Sequence, residues 1–447
     1  MPPLPPFRRA LLVWAQIAAN SFGGPAGQIA VMHRVLVEEE KWLSEERFLH
    51  GLHFCMLLPG PEAQQLCTWQ GWVGWGYRGG LAAGWLFVMP AFFSILGWSL
   101  LYSAFHEVPL VAAALGGAKA AVLAVVVEAA VRIGRRVLVN PGAVLVAGSA
   151  FVALFLLDLP FPLVIGAAAA GGALAPVVFP PPPPPPAKAG AEPPLLDAAI
   201  DSGRLPHVAP DLRRDLAVGG ALLALWLLPT AALWTQGPSV WRDVATFFSQ
   251  AAVVTFGGAY SVLAWVVDHA VTDQGWLTTG EMIDALSLAE TTPGPLIQVV
   301  QFVGFLATSR EPGPFPPLVA GTLGSVLTTW VTYWPSFAFV LAGAPWVERL
   351  RRVTRAASAL RAVTCAVVGV IANLSVWFTL HVWFGTVATR SVGPFRVLVP
   401  EPSTFHPAAA GIAAAAAVLL LGRKWPMLVV LALGGAAGTA AHLVGLR

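Results

Sequence analysis

Two clusters of glycine, proline and small polar residues interrupt apolar stretches of this chain, and their chemistry suits an oxyanion. The first comprises Asn20, Ser21, Gly23, Gly24 and Gln28, followed by Gly60, Gln64 and Gln65; the second comprises Gly257, Gly258, Thr292, Gly294 and Gln298. Proline removes a backbone donor and glycine weakens a helix interior, so a helix should stop at each cluster and restart beyond it. A restarting helix presents unpaired N–H groups and the positive end of its dipole, a setting that favours an anion. Neighbouring amides and hydroxyls replace the anion's hydration shell without a fixed countercharge. Glu62 and Glu290 stand beside the breaks. Each suits either a proton relay or hydrogen-bonded bracing of a helix end. Lys119, in the middle of another apolar stretch beside Gly116 and Gly117, suits a positive charge facing the anion's path. The structural alternative is a buried ion pair with a carboxylate such as Glu128, or a side chain snorkelling along its stem.

The two clusters are copies. Phe22-Gly23-Gly24 returns as Phe256-Gly257-Gly258, Trp42-Leu43 as Trp276-Leu277, and Pro59-Gly60-Pro61 with Gln64 as Pro293-Gly294-Pro295 with Gln298, each pair 234 residues apart. Such paired, broken apolar segments are the sequence pointer to a transporter whose site lies between its repeats. The copies differ in detail: Ala259 stands where the first has Pro25, and Leu296 where the first has Glu62. A symmetric role for Glu62 is not expected.

The elements that must hold these clusters are membrane helices. Hydrophobic residues make up 57% of the 447 and charged residues 11%, with a mean hydropathy of +0.71; soluble domains carry roughly 25% charged residues. The partner of this surface is a lipid bilayer. Apolar stretches predict about thirteen transmembrane segments, near 10–32, 48–76, 79–102, 110–131, 141–157, 161–179, 216–234, 244–267, 281–309, 317–343, 362–386, 408–422 and 426–445. The fold class is an all-α polytopic membrane protein with two inverted, antiparallel repeats. Residues 1–179 form the first membrane repeat. Residues 180–215, opening on the tract Pro180 to Pro186, form a Pro-rich cytoplasmic linker, and residues 216–447 form an extra span plus the second repeat. Polyproline makes the linker a semi-rigid spacer. Lys and Arg distribute best with the N-terminus cytoplasmic, which puts the loop holding Arg34, Lys41 and Arg47 outside. Seven spans then precede the second copy, and this odd number inverts it relative to the first; re-entrant rather than crossing PGP segments would change the count.

Other features carry less chemistry. The net charge of +3 reflects loop residues of a membrane protein rather than nucleic-acid binding. Cys55, Cys67 and Cys365 lack metal-ligand spacing, so no disulfide framework, metal or cofactor is expected. Gly76, Gly80 and Gly84 repeat at four-residue spacing, which predicts close helix packing. A membrane enzyme is disfavoured, because no His-Glu-x-x-His, Gly-x-Ser-x-Gly or Walker motif occurs. A simple channel is disfavoured by the repeats.

The runs Phe22-Gly23-Gly24-Pro25-Ala26-Gly27-Gln28, Trp42-Leu43-Ser44-Glu45 and Leu58-Pro59-Gly60-Pro61-Glu62-Ala63-Gln64-Gln65 resemble the chromate transporter (CHR) superfamily in its long-chain, two-domain bacterial form. Thr255-Phe256-Gly257-Gly258-Ala259-Tyr260 and Thr292-Pro293-Gly294-Pro295 extend the resemblance to the second half. The resemblance implies about thirteen spans in antiparallel halves and export of chromate across the bacterial inner membrane. It also implies sulfate, another tetrahedral dianion, as a competitor. Import or exchange of sulfate or another oxyanion is the alternative within transport. Proton coupling is left open, and a homodimer is among the assemblies allowed.

Overall fold

The computed structural model describes residues 4–22, 24–179, 194–237, 239–256, 258–347, 354–393 and 395–445. Gly23, Gly257 and the tract Pro180 to Pro186 lie outside the described residues.

Helices dominate, and their breaks fall where glycine and proline predict. In the first copy α1 (Phe7–Ala19) is followed by α2 (Gly24–His33), whose end widens into a π-helical turn, Arg34–Glu39. Helix α3 (Glu45–Leu57) is N-capped by the Ser44 hydroxyl, and helix resumes as α4 (Glu62–Phe105) beyond Pro59-Gly60-Pro61. Four shorter stretches follow: α5 (Pro109–Val137), α6 (Pro141–Phe155), α7 (Phe161–Leu174) and the short α8 (Leu195–Asp201). Helix α9 (Leu212–Trp234) leads into the second copy, built from α10 (Val240–Val254), α11 (Ala259–Val267), a second π-helical turn (Asp268–Asp273), α12 (Thr279–Glu290) and α13 (Val299–Arg310). The two π-helical turns begin 234 residues apart, as do the N-capping Ser44 and Thr278. Sequence repetition is therefore repetition of local structure. Helices α14 (Pro317–Gly343), α15 (Thr354–Trp383), α16 (Pro407–Ala417) and α17 (Met427–Leu443) complete the chain.

One addition departs from the all-α expectation. Val387–Val392 (β1) and Phe395–Pro400 (β2) pair antiparallel, with Val387 opposite Pro400 and Val392 opposite Phe395. Their β-branched residues suit a pleated surface, and Gly393 turns between them at φ 60°.

By packing, the chain divides into two compact units: residues 1–94, 180–259 and 292–360 form the first, and 95–179, 260–291 and 361–447 the second. Each unit thus draws chain from both sides of the proline tract.

In the first unit, segments expected as single crossings turn back on themselves. The start of α1 meets the end of α2 through an Arg9–Glu40 ion pair of 2.5 Å. The stretch 10–32 is therefore a hairpin whose ends share one side. The stretch 48–76 behaves alike: Trp42, ahead of α3, packs its ring 5.1 Å from that of Trp75, at the far end of the first arm of α4. At Trp75 and Gly76 the backbone leaves helical geometry, Gly76 taking φ 64°, so α4 is two arms, 62–74 and 77–105. The arms run antiparallel, with Cys67 Sγ 3.4 Å from Ala83 O. Gly71, Gly79 and Gly84 make the approach possible, because a β-carbon on Gly71 would strike Gly79 and one on Gly84 would strike the Thr68 hydroxyl. Of the three glycines at four-residue spacing, Gly80 and Gly84 pack closely as expected, a β-carbon on Gly80 falling 2.7 Å from Leu341, whereas Gly76 instead forms the turn between the arms.

This arrangement corrects the placing of the 33–47 loop outside. Leu195 and Leu196 donate their N–H groups to Lys41 O and Trp42 O, at 3.3 and 2.9 Å, and Asp197 accepts from the Ser44 hydroxyl at 2.5 Å. Trp75 Nε1 donates to Pro5 O at 3.2 Å. The N-terminal segment, this loop and the C-terminal part of the 180–215 linker therefore sit at the same end of the first unit. That part of the linker is also helical: Leu196 is fully buried, and α9 begins at Leu212, capped by Asp211. Charge counting failed here because it assumed that each apolar stretch crosses once.

Helices α9 and α14 run the length of the unit in opposite directions, Trp334 Nε1 donating to Leu222 O at 2.7 Å and Trp330 Nε1 to Leu225 O at 3.1 Å. At 1.5 Å per residue the 27 residues of α14 extend about 40 Å. Its far end reaches the N-terminal side, where Trp346 Nε1 donates to Asp215 at 3.0 Å. Its start lies by α10: Phe315 packs 5.9 Å from Trp241. By length and composition α4, α5, α9 and residues Ala357–Trp383 of α15 can each cross a membrane.

Candidate functional site

Inside the first unit the two breaks meet. Gly60 N–H donates to Thr255 O at 2.7 Å, and Gly294 N–H donates to Ser21 O at 2.7 Å. Ser21 and Thr255 are counterparts in the repeat, as are Gly60 and Gly294, so each copy's proline-glycine turn binds the other copy's first break. The same pairing governs the hydroxyls, Ser21 Oγ donating to Ile17 O and Thr255 Oγ1 to Ala251 O, both at 2.6 Å. Gly60 and Gly294 adopt φ 123° and 108°, and Gly24 and Gly258 adopt 70° and 98°. Side-chain-bearing residues avoid this half of φ space, so the glycines fix the turns.

Four of the expected amides are buried around this junction. Gln28 Nε2 donates to Gly294 O at 2.5 Å and Gln65 Nε2 to Pro59 O at 2.6 Å. Gln64 Nε2 donates to Thr68 Oγ1 at 3.0 Å. Gln298 Nε2 binds Gln301 Oε1 and, at 2.9 Å, Thr329 Oγ1; Gln301 in turn donates to Phe92 O at 3.1 Å. The carbonyl oxygens of Gln64, Gln65 and Gln298 have no partner among the described residues. Thr292 is buried nearby in the chain, one residue before Pro293. Asn20 differs, being exposed and bound to Gln16 O of its own helix at 2.8 Å. Glu62 occupies the first turn of α4, where its charge complements the helix dipole.

Sequence reading predicted the 317–343 segment that forms α14 but missed its hydroxyl face. One face of this helix carries Ser325, Thr328, Thr329, Thr332, Tyr333 and Ser336, all at most 3% exposed. Thr329 holds Gln298 at the second break, and a β-carbon on Gly60 would fall on the Ser336 hydroxyl at the first. The seven-residue step from Thr329 to Ser336 spans about 10 Å of helix. Hydroxyls at i, i+3/i+4 and i+7 in an apolar segment were the available signal, but no repeat copy drew attention to them. The hydroxyl oxygens of Ser325, Thr332, Tyr333 and Ser336 lack a partner among the described residues. Each costs about 1–3 kcal/mol if left so.

The remaining candidates belong to the second unit. Lys119 Nζ lies 3.0 Å from Asp284, which also accepts from the Tyr102 hydroxyl at 2.9 Å. Its carboxylate partner is therefore Asp284, while Glu128 pairs with Arg132 at 3.4 Å. Sequence distance hid this pair, since Asp284 lies in the other copy. Lys119 borders a cavity of about 750 Å³ that His381, His406 and His442 also line. Glu290 closes α12 and accepts the Tyr260 hydroxyl.

Residues 9–173 and 242–439 match the chromate transporter family. A chromate transport protein of Pseudomonas aeruginosa is 32% identical over 78% of this chain and 76% of its own length. A probable chromate transport protein of Synechococcus elongatus is 26% identical over 87% and 90%, and a chromate transport protein of Cupriavidus metallidurans 25% over 81% and 80%. No solved structure matches the chain significantly. The two matched regions hold both glycine-proline breaks and the helices that bury them, and the chain belongs to the chromate transporter family.

Proposed function

We propose that this chain exports chromate from the cytoplasm across the bacterial inner membrane by alternating access between two inverted repeats. The observation that carries the reading is the reciprocal pair of 2.7 Å bonds between Gly60 and Thr255 and between Gly294 and Ser21. Two copies that clasp each other at their breaks create one junction whose halves can be exchanged by a small rocking motion. Non-helical backbone of this kind is tolerated at membrane depth only inside protein or beside a wet cavity.

Inversion is supported by the two ends of the first unit. Helix α1 starts at the end that holds Trp75, Asp215 and Trp346, while α10 starts beside Phe315, at the opposite end of α14. Orientation is supported by charge: Arg8, Arg9, Arg34, Lys41, Arg47, Arg78, Arg204, Arg213 and Arg214 belong to the first end, Arg242 and Arg310 to the other. The positive-inside rule then makes the first end cytoplasmic.

The anion is held at this junction by Gln28, Gln64 and Gln65, each of which keeps a second amide N–H to donate, with Thr292 and the glycine turns shaping the site and Ser21 and Gln298 bracing it; Lys119 is spent on its ion pair with Asp284. An inside-negative potential favours exit by about 2.3 kcal/mol per charge per 100 mV, hence about 4.6 kcal/mol for a dianion. That equals roughly three powers of ten in gradient. Efflux therefore needs no proton, and Glu62 and Glu290 remain the groups through which one would couple. Import or exchange of sulfate is the second reading, favoured by the absence of any chromate-specific group at the junction among the described residues. Labelled chromate uptake into energised everted vesicles tests the proposal. Saturable uptake that sulfate inhibits and that stops when the potential alone is collapsed is expected; no uptake above empty vesicles would overturn it.

A further inference from the structure

We infer that the hydroxyl face of α14 is the anion's principal ligand set, with Thr332, Tyr333 and Ser336 as substrate-binding residues. The inference rests on the oxyanion-transport reading of the same junction and adds residues that the glycine-proline motifs do not contain. Serine and threonine inside helices ordinarily return their hydroxyl proton to the carbonyl four residues back. Thr328 does so to Gly324 O at 2.8 Å, as do Ser287, Thr308 and Ser375 elsewhere in the chain. Ser325, Thr332 and Ser336 do not, and Tyr333 Oη is equally without a partner among the described residues although fully buried. Thr332, Tyr333 and Ser336, three buried donors between the Gln298 contact at Thr329 and the Gly60 contact at Ser336, are therefore held ready for an acceptor, and Ser325 lies one turn beyond Thr329.

The first copy shows that this polarity is not a packing requirement. Pro90 and Pro335 occupy matching places, because a β-carbon on Gly294 would fall 2.8 Å from Ala91 Cβ while one on Gly60 would fall on the Ser336 hydroxyl. Aligned on those prolines, Ser336, Tyr333, Thr332 and Ser325 stand opposite Ala91, Val88, Phe87 and Gly80. The same geometric position is apolar in one copy and polar in the other. At this place α14 turns a row of unpartnered donors inward where the first copy has none among the described residues, and all three between the breaks are neutral. Neutral donors suit a fully ionised tetrahedral oxyanion that must leave again, because a fixed cation would bind it too tightly to release.

The test uses the full-length protein. Tyr333→Phe and Ser336→Ala each remove one hydroxyl and little volume, and Thr322→Val, which alters an exposed hydroxyl on the same helix, is the control. The expected result is a KM for chromate raised roughly ten- to a hundredfold in the first two, as for a lost bond to a charged acceptor, with Thr322→Val unchanged. Thermal unfolding without anion should not weaken in Tyr333→Phe, since an unpaired buried hydroxyl is lost; a scaffold role predicts the opposite. If wild type carries chromate and both variants keep its KM, the inference fails and the functional reading survives. If wild type carries no chromate, stabilisation by sulfate or molybdate that Tyr333→Phe abolishes upholds the inference and overturns the chromate reading. Equal stabilisation in both, or none, overturns the inference.

Discussion

At the first break the left-handed glycine, Gly60, packs on the Ser336 hydroxyl of α14, whereas its counterpart Gly294 packs on the Ala91 methyl of α4. The helix that restarts after the first break begins with Glu62, while Leu296 takes that place at the second. The backbones match closely enough to exchange identical 2.7 Å bonds. What differs is the surrounding chemistry: a carboxylate and hydroxyls at one, an amide network of Gln298, Gln301 and Thr329 at the other. Duplication thus preserved the turn geometry that two clasped hairpins need, and left side chains free to diverge into hydroxyl-lined surroundings at one break and an amide network at the other.

The largest expected effect comes from removing the feature the breaks share. Gly60→Ala meets both a positive φ and Ser336, and Gly294→Ala meets a positive φ and Ala91 Cβ at 2.8 Å. Each should lower vesicle uptake by about a hundredfold or more, given about 1–3 kcal/mol of backbone strain plus the collision. Normal uptake in either would mean that the clasp is dispensable. The amides should separate the two breaks. Gln298→Ala dismantles a buried network and should cost about 1–3 kcal/mol of stability, read by thermal unfolding in detergent, against a smaller loss for Gln64→Ala, which breaks one bond to Thr68. Equal losses would erase the proposed asymmetry.

Lys119 tests whether binding needs a cation at all. Lys119→Ala should keep KM within about threefold, because a charge already neutralised by Asp284 at 3.0 Å has little left for an anion. Asp284→Asn should lower the unfolding temperature through about 1–3 kcal/mol, less than for a fully buried pair because Lys119 is 24% exposed. A large rise in KM for Lys119→Ala at unchanged stability would place the lysine on the anion's route. The smallest effect is expected for Glu62→Gln. As a brace in the first turn of α4 it contributes roughly 0.3–1 kcal/mol, so potential-driven uptake should hold within about threefold. Loss of flux that tracks the pH gradient would instead mark Glu62 as a proton relay.

Much of the site could be read before any fold was known, because glycine and proline act locally. Gly60 and Gly294 fall at breaks with positive φ, and Gln28, Gln64, Gln65 and Gln298 are buried, as their setting in apolar sequence implied. Asn20 is exposed despite its place in the motif, since one turn of helix moves a residue from the core to the surface. The Asp284 partner of Lys119 was not legible, because the two stand far apart in sequence. The spacing of the α14 hydroxyls was present in the sequence, but the breaks they face are set by distant residues and no repeat copy points to them.

The sequence by itself determined that the chain is a membrane protein, that it is duplicated at 234 residues, that its helices break at two glycine-proline turns, and which family it belongs to. These follow from composition and from backbone chemistry that needs no distant partner. Only the tertiary structure decided that the stretches 10–32 and 48–76 turn back, that each break binds the other copy's carbonyl, and that α14 supplies the donors between them. Hydropathy measures whether a segment prefers lipid or protein to water. It is blind to direction, so a hairpin and a crossing read alike until the contacts at their ends are seen.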